Sequence, residues 1–192
     1  GLNIQFGYTG LLNFGQAAFA AMGAYGVAIG VASFGWPFWP SVLMGLVAAL
    51  VLAMLLGAAT LRLRADYLAI ATVAAAEAIR RVMRTVEFSD VTGGAEGLRG
   101  FADTFRDYGY ALGLQRGGRF EFGPFFYTHT NLWVMIVGWA LIAVCLVIVW
   151  LAMRSPWGRV LRAIREDEDA VRSLGKNAFS YKLQALAFGG LI

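Results

Sequence analysis

Residues 1–61 contain no Asp, Glu, Lys, Arg or His. A soluble domain must turn charged side chains to water on the outer faces of its elements. A run this long without any excludes an ordinary globular fold and makes lipid the solvent. A bilayer core needs about 20 apolar residues in helical form, so the run has room for two crossings. Trp36, Pro37, Trp39 and Pro40 punctuate it, because proline ends helices and tryptophan favours the headgroup level. The expected spans are residues 7–35 and 38–61, with Arg62 and Arg64 anchoring the end of the second.

Beyond them, residues 68–79 are apolar but only about half a span long. Asp66 stands before them and Arg80, Arg81 and Arg84 after, so the segment either extends with charged ends or re-enters the membrane. Residues 87–130 are mixed and Gly-rich, and Thr92-Gly93-Gly94-Ala95-Glu96-Gly97 and Gly117-Gly118 are turn signals of an external loop region. Residues 131–153 carry no charge and have Trp133 and Trp150 near their ends, which makes another full span. Residues 154–182 then collect Arg154, Arg159, Arg162, Arg165, Arg172, Lys176 and Lys182. The bias of Lys and Arg toward the cytoplasm places this stretch inside and the 87–130 loop outside. Arg80, Arg81, Arg84, Arg99, Arg106, Arg116 and Arg119 put as many cations near the other loop, which blunts the argument.

The fold class that follows is all-α, a polytopic transmembrane helical bundle, with residues 1–192 as one transmembrane domain. Residue 1 is Gly, and 183–192 reads as an apolar segment cut off under way, so a fragment lacking both ends is expected. The formal charge of +4 lies in the gaps between apolar runs, where it encodes topology and gives no reason to invoke nucleic acid.

Enzyme chemistry finds little to work with. His129 is the one histidine, Cys145 is the one cysteine and lies in an apolar run, and no Gly-x-Ser-x-Gly elbow is present. Gly175-Lys176-Asn177 lacks the upstream Gly and the following Ser or Thr of a phosphate loop. No catalytic residue, metal or bound cofactor is expected, so a pump of this kind draws its energy from a partner or an ion gradient.

The polar residues inside the apolar segments are the candidates for a substrate path: Thr9, Asn13, Gln16, Thr72 and Glu77. Unpaired amides are costly in hydrocarbon and should face the protein interior, where they either line a path or hold helices together by hydrogen bonds. Glu77 is either a proton or cation site or a structural partner of Arg80 or Arg81. Gly26 and Gly30 form a Gly-x-x-x-Gly pair, and Gly15 and Gly23 add small positions for close helix packing. In the basic stretch, Leu161, Ile164, Val171 and Leu174 recur at near-helical spacing among charges, the pattern of an amphipathic helix outside the membrane. Such a helix lies on headgroups, packs on the bundle or docks in a partner's groove. Its acidic run, Glu166 to Asp169, would be repelled by anionic lipid and favours a protein partner.

Four ordered motifs carry a resemblance across nearly the whole chain. They are Gly7-Tyr8-Thr9-Gly10-Leu11-Leu12-Asn13-Phe14-Gly15-Gln16-Ala17-Ala18-Phe19 with Gly23-Ala24-Tyr25, then Leu61-Arg62-Leu63-Arg64-Ala65-Asp66-Tyr67-Leu68-Ala69-Ile70, then Thr92-Gly93-Gly94. The fourth is residues 155–175 around Gly158-Arg159 and Ala163-Ile164-Arg165-Glu166. Together they resemble the LivM-type permease subunits of branched-chain amino acid ABC importers. The resemblance implies a plasma-membrane permease in bacteria that pairs with a LivH-like permease subunit. It implies a periplasmic or extracellular substrate-binding protein and two cytoplasmic ATPase subunits, which would hold the ATP and Mg that this chain does not bind. It also implies a coupling helix within 154–182, with Arg159, Arg162, Arg165, Glu166, Asp167, Glu168 and Gly175 as its ATPase-coupling residues. Ala65, Glu96 and Lys176 depart from the usual Gly, Asn and apolar residue. A urea or short-chain amide permease would share these motifs. An ion-coupled secondary transporter would rely on Glu77 or Asp66, and a membrane scaffold would use the amphipathic helix alone.

Overall fold

A computed structural model describes residues 1–61, 65–94, 96–111, 118–122 and 125–192. Two helices among them, α2 (Phe38–Thr60) and α6 (His129–Arg154), are long and apolar enough to cross a bilayer. Both lie within two residues of the spans expected at 38–61 and 131–153. Pro37 caps α2, and Pro40 falls in its first turn, where backbone N–H groups have no helical partner to lose.

The span expected at 7–35 is not one helix. A π-helical turn, Ile4–Tyr8, stops, the chain runs irregularly through residues 9–15, and α1 (Gln16–Ala32) begins afresh. Gly10 makes the stop, because its φ of 72° lies in the left-handed region that only glycine enters freely. That turn lets Gly10 N–H donate to the Phe6 carbonyl at 3.1 Å and Leu11 N–H to the Gln5 carbonyl at 2.8 Å.

The short apolar segment takes the first of its two options: α3 (Ala65–Met83) is a 19-residue helix that extends through the flanking charges. Arg62 and Arg64 lie outside the described residues, as do Ala95, Arg116 and Gly117 of the loop. That loop holds a 3₁₀ turn (Val86–Phe88), α4 (Ser89–Thr92) and α5 (Asp103–Ala111). It ends in a hairpin in which β1 (Arg119–Phe122) pairs antiparallel with β2 (Phe125–Thr128), Arg119 opposite Thr128. The hairpin is confined to the loop, and the protein is an all-α membrane bundle.

The bundle is built on α1 against α2. Ala18 and Phe19 of α1 pack with Leu52 and Ala53 of α2 and with Leu186 of α9 (Ala178–Leu191). The outer side of α2 and nearly all of α6 expose Leu, Val, Ile and Trp, including Leu55 and Trp139, the surface a helix presents when its solvent is lipid. One end of the bundle is aromatic. Phe38 stacks on Phe105 at 5.5 Å and Trp39 on Tyr108 at 6.5 Å, and Trp133 Nε1–H donates to the Phe105 carbonyl at 3.0 Å. Rings with an apolar body and a polar edge suit a membrane interface.

The other end carries the amphipathic stretch, and it too is broken where one helix was expected. It forms α7 (Pro156–Glu166) and α8 (Glu168–Ser173). Asp167 is extended, at φ −154° and ψ 105°, and its carboxylate caps α8 by accepting from the Asp169 and Ala170 N–H groups at 2.9 and 3.0 Å. The acidic run therefore starts a helix. Leu161, Ile164 and Val171 are buried as the pattern requires, but Leu174 is 80% exposed. Gly175, at φ 75°, ends α8 with N–H bonds from Gly175 to the Arg172 carbonyl and from Lys176 to the Val171 carbonyl, the Schellman arrangement that requires a left-handed residue.

Candidate functional site

A helix interrupted in lipid leaves backbone groups that water cannot satisfy, so side chains must do so. Asn13, Thr72 and Thr9 each satisfy one backbone group at the break, and Gln5, fully buried like Asn13, ties Asn13 to α9. Gln5 Nε2 donates to the Leu186 carbonyl on α9 at 3.1 Å, and its Oε1 accepts from Asn13 Nδ2 at 2.9 Å. Asn13 Oδ1 accepts from Gly15 N–H at 2.8 Å, just before α1 starts. Thr72 reaches in from α3, its hydroxyl accepting from Phe14 N–H at 3.2 Å and donating to the Ala69 carbonyl at 2.9 Å. Thr9 turns its hydroxyl back to the Ile4 carbonyl at 3.1 Å. Gln16 donates to the Gly189 carbonyl at 2.8 Å, while its Oε1 is buried without a hydrogen-bond partner among the described residues.

Close approach of backbone is part of this construction. A Cβ at Gly15 would stand 2.7 Å from the Thr72 carbonyl oxygen, and one at Gly189 would stand 2.7 Å from Gln5 Nε2. Thr9, Asn13, Gln16 and Thr72 are thus brought to one polar knot. The residue missing from the sequence reading is Gln5. Its signal is an amide in the charge-free run; on a continuous helix it would lie about 12 Å from Asn13, and the two side chains meet because the helix breaks between them.

Glu77 lies apart. Its carboxylate is held by Arg80 through two bonds of 2.8 and 2.7 Å and by Arg81 at 3.0 Å. The group faces a cleft of about 250 Å³ between α1 and α3, lined by Phe14, Ala17, Ala18, Ala21, Val73 and Ala76 together with Glu77 and Arg80.

The four packing glycines divide by environment. Gly26 meets the backbone of Gly45, Gly30 meets Ser41, Gly15 meets Thr72, and Gly23 has open space where a Cβ would be.

At the α7–α8 end, the cations are less free than an exposed helix suggests. Arg162 donates to the Met153 and Gly158 carbonyls at 3.0 and 3.3 Å, satisfying the end of α6. Arg165 donates to the Gly7 carbonyl at 2.6 Å, at the end of the π-helical turn. Glu168 accepts from Arg172 at 2.7 Å and from Lys182 of α9. Arg159, Glu166 and Asp167 are exposed on the outer side, with Leu174 beside Gly175. Between this end and the helix break lies a cavity of about 290 Å³ lined by Thr9, Gly10, Leu11, Leu61, Leu68, Ile164, Arg165, Glu168 and Lys182. Among the described residues, no group of three or more His, Cys, Asp or Glu is placed to hold a metal.

Comparison with known proteins gives this geometry its context. The chain is 35% identical to the high-affinity branched-chain amino acid transport system permease protein LivM of Salmonella typhimurium, over 99% of this chain and 47% of that protein. The LivM of Escherichia coli K12 matches at the same identity and coverage. A probable LivM permease of Methanocaldococcus jannaschii is 25% identical over 100% of this chain and 59% of its own length. The chain spans about half the length of the bacterial relatives it matches. No solved structure matches. The model of the branched-chain amino acid transport system / permease component family covers residues 1–192, and to that family of membrane permeases the chain belongs.

Proposed function

We propose that the chain is part of the permease subunit of an ATP-driven importer that carries branched-chain or related neutral amino acids across the plasma membrane. A second, LivH-like permease subunit completes the path, and an external binding protein delivers the substrate. Two cytoplasmic ATPases, holding ATP and Mg, supply the energy, and this chain performs no catalysis. The observation that carries the reading is the joint placement of a polar helix break inside the bundle and an α7–α8 pair at one end of it. Broken helices in transporters give a substrate path its polar backbone. The α7–α8 pair buries Leu161, Ile164 and Val171 inward and turns Arg159, Glu166 and Leu174 outward, as a surface that receives a partner would.

In this reading α7 and α8 face the cytoplasm, and the 87–130 loop faces outside. Motion of the docked ATPases shifts the bundle between two states, and its energy enters through contacts that differ between them. The paired state of Glu77 speaks against an ion-coupled mechanism built on that carboxylate. The test is purification of the full-length permease from native membranes, followed by ATPase assays of the assembly with branched-chain amino acids and the binding protein. Recovery of a second permease and of ATPase subunits with substrate-stimulated turnover is the expected result. Recovery of the permease with no nucleotide-binding partner would overturn the proposal.

A further inference from the structure

The π-helical turn before the helix break meets α7 directly, where Arg165 donates to the Gly7 carbonyl and Leu161 packs in one cluster with Ile4, and α9 is the element that meets both the break and α8. Its start carries Lys182, whose side chain is 16% exposed and pairs with Glu168 at the first position of α8. Four residues on, the Leu186 carbonyl accepts from Gln5, and the Gly189 carbonyl accepts from Gln16. Glu168 and Lys182 both border the 290 Å³ cavity, so the ion pair forms part of its wall. Beside the ion pair, Val171 holds α8 in an apolar cluster with Ile164 and with Ala178 of α9, against which Val160 and Tyr181 pack.

We infer, on the footing of the importer reading, that Glu168 and Lys182 are positioning residues that join the ATPase-facing surface to the helix break through α9. Displacement of α8 pulls on Lys182 through a direct charge contact. A helix moves as a rigid rod, so α9 carries the displacement to the carbonyls on which Gln5 and Gln16 are tied. Arg172 also binds Glu168 but from within α8 itself, at i+4. It cannot transmit motion out of that helix, which makes it the internal control.

The experiment uses the full-length importer reconstituted with its ATPases and binding protein in proteoliposomes, and reads ATP hydrolysed per amino acid imported. Lys182→Met and Glu168→Gln are each expected to raise that ratio at least fivefold, with the ATPase subunits still co-purifying. The double variant is expected to be no worse than either single one, because both remove the same contact. Lys182→Arg should keep the ratio near that of the unmodified protein, and Arg172→Gln should leave it within twofold. Glu168 is at the surface of a short helix, so its variant remains informative if a change in α9 impairs insertion. The inference is overturned if either single variant imports at the unmodified ratio, or if the two effects multiply independently. Failure of the unmodified permease to bring down ATPases is a separate result, which would remove the importer reading itself.

Discussion

Gly26→Ala and Gly23→Ala are three residues apart on the same helix, yet the structure assigns them opposite effects. A Cβ at Gly26 would overlap Gly45 Cα and lie 2.7 Å from Gly45 N and 3.3 Å from Met44 C. Carbon atoms rest at about 3.5–4.0 Å, so α1 and α2 must part by about 1 Å. The obstacle is backbone, with no side chain to swing aside. Parting also loosens Gly30 against Ser41 and Gly45 against the Gly23 carbonyl, where a Cβ on Gly45 would stand only 2.6 Å away. Overpacking of this kind costs about 1–3 kcal/mol, set against a gain of at most ~1 kcal/mol from replacing Gly by Ala within a helix. At Gly23 nothing lies within 4 Å of the new Cβ, so only the gain remains. The helix-propensity gain is common to both, so the two variants should differ by the overpacking cost, about 1–3 kcal/mol, or roughly 2–12 °C in Tm at about 2–4 °C per kcal/mol. Thermal unfolding of the detergent-purified full-length permease, followed by fluorescence-detected size exclusion, reads this difference. A Gly26→Ala protein as stable as Gly23→Ala would refute the close backbone crossing of α1 and α2.

Asn13→Leu orphans Gln5 Oε1 and Gly15 N–H in a buried place and should lower stability by about 1–3 kcal/mol in the same assay. Glu77→Gln should change amino acid uptake less than twofold, because the carboxylate is already engaged by two arginines at a partly exposed position; abolished uptake with intact assembly would revive ion coupling. Arg159→Glu should reduce ATPase co-purification at least tenfold with unchanged Tm. Arg162→Ala should lower stability by about 1–2 kcal/mol, since its guanidinium satisfies two backbone carbonyls at the α6–α7 corner.

The spans were legible where punctuation coincides with composition. Pro37 marks the start of α2, and the uncharged run with Trp at each end marks α6. The two breaks were not, for a shared reason: apolar periodicity reports which residues are buried and is blind to the axis of the helix that buries them. Leu161, Ile164 and Val171 are buried as a single helix would have them, although Asp167 bends the chain between them. Its carboxylate followed by Glu168 and Asp169 is a helix-start pattern, and it was read as charge alone. In the first span, the pattern makes Asn13 and Gly15 path and packing residues of one helix. Gly10 in fact sets a left-handed turn, and Asn13 caps the gap. Of the candidate site, Thr9, Asn13, Gln16 and Thr72 were foreseeable as polar groups that must turn inward. Their ties were not: Asn13 reaches Gln5 across a break that periodicity does not show, and the bonds to α9 join residues more than 170 positions apart.

A broken helix in lipid is tolerable only where each freed group has a partner, since an unsatisfied backbone group in hydrocarbon costs several kcal/mol. At this break the partners come from four elements: Gln5 and Asn13 from the broken span, Thr72 from α3, Arg165 from α7 and the Leu186 and Gly189 carbonyls from α9. The Leu186 carbonyl has a second lone pair and can accept an amide without surrendering its helical bond, and the Gly189 carbonyl lies in the last turn of α9, where it is open to one. The break is thereby fixed to three neighbouring helices, and any change in its shape that keeps its hydrogen bonds must move α3, α7 or α9 with it. Residues 9–15 therefore cannot act as a loose loop that opens by itself. Gating at this point requires rigid displacement of helices, and the helices that also reach α8 are α7 and α9.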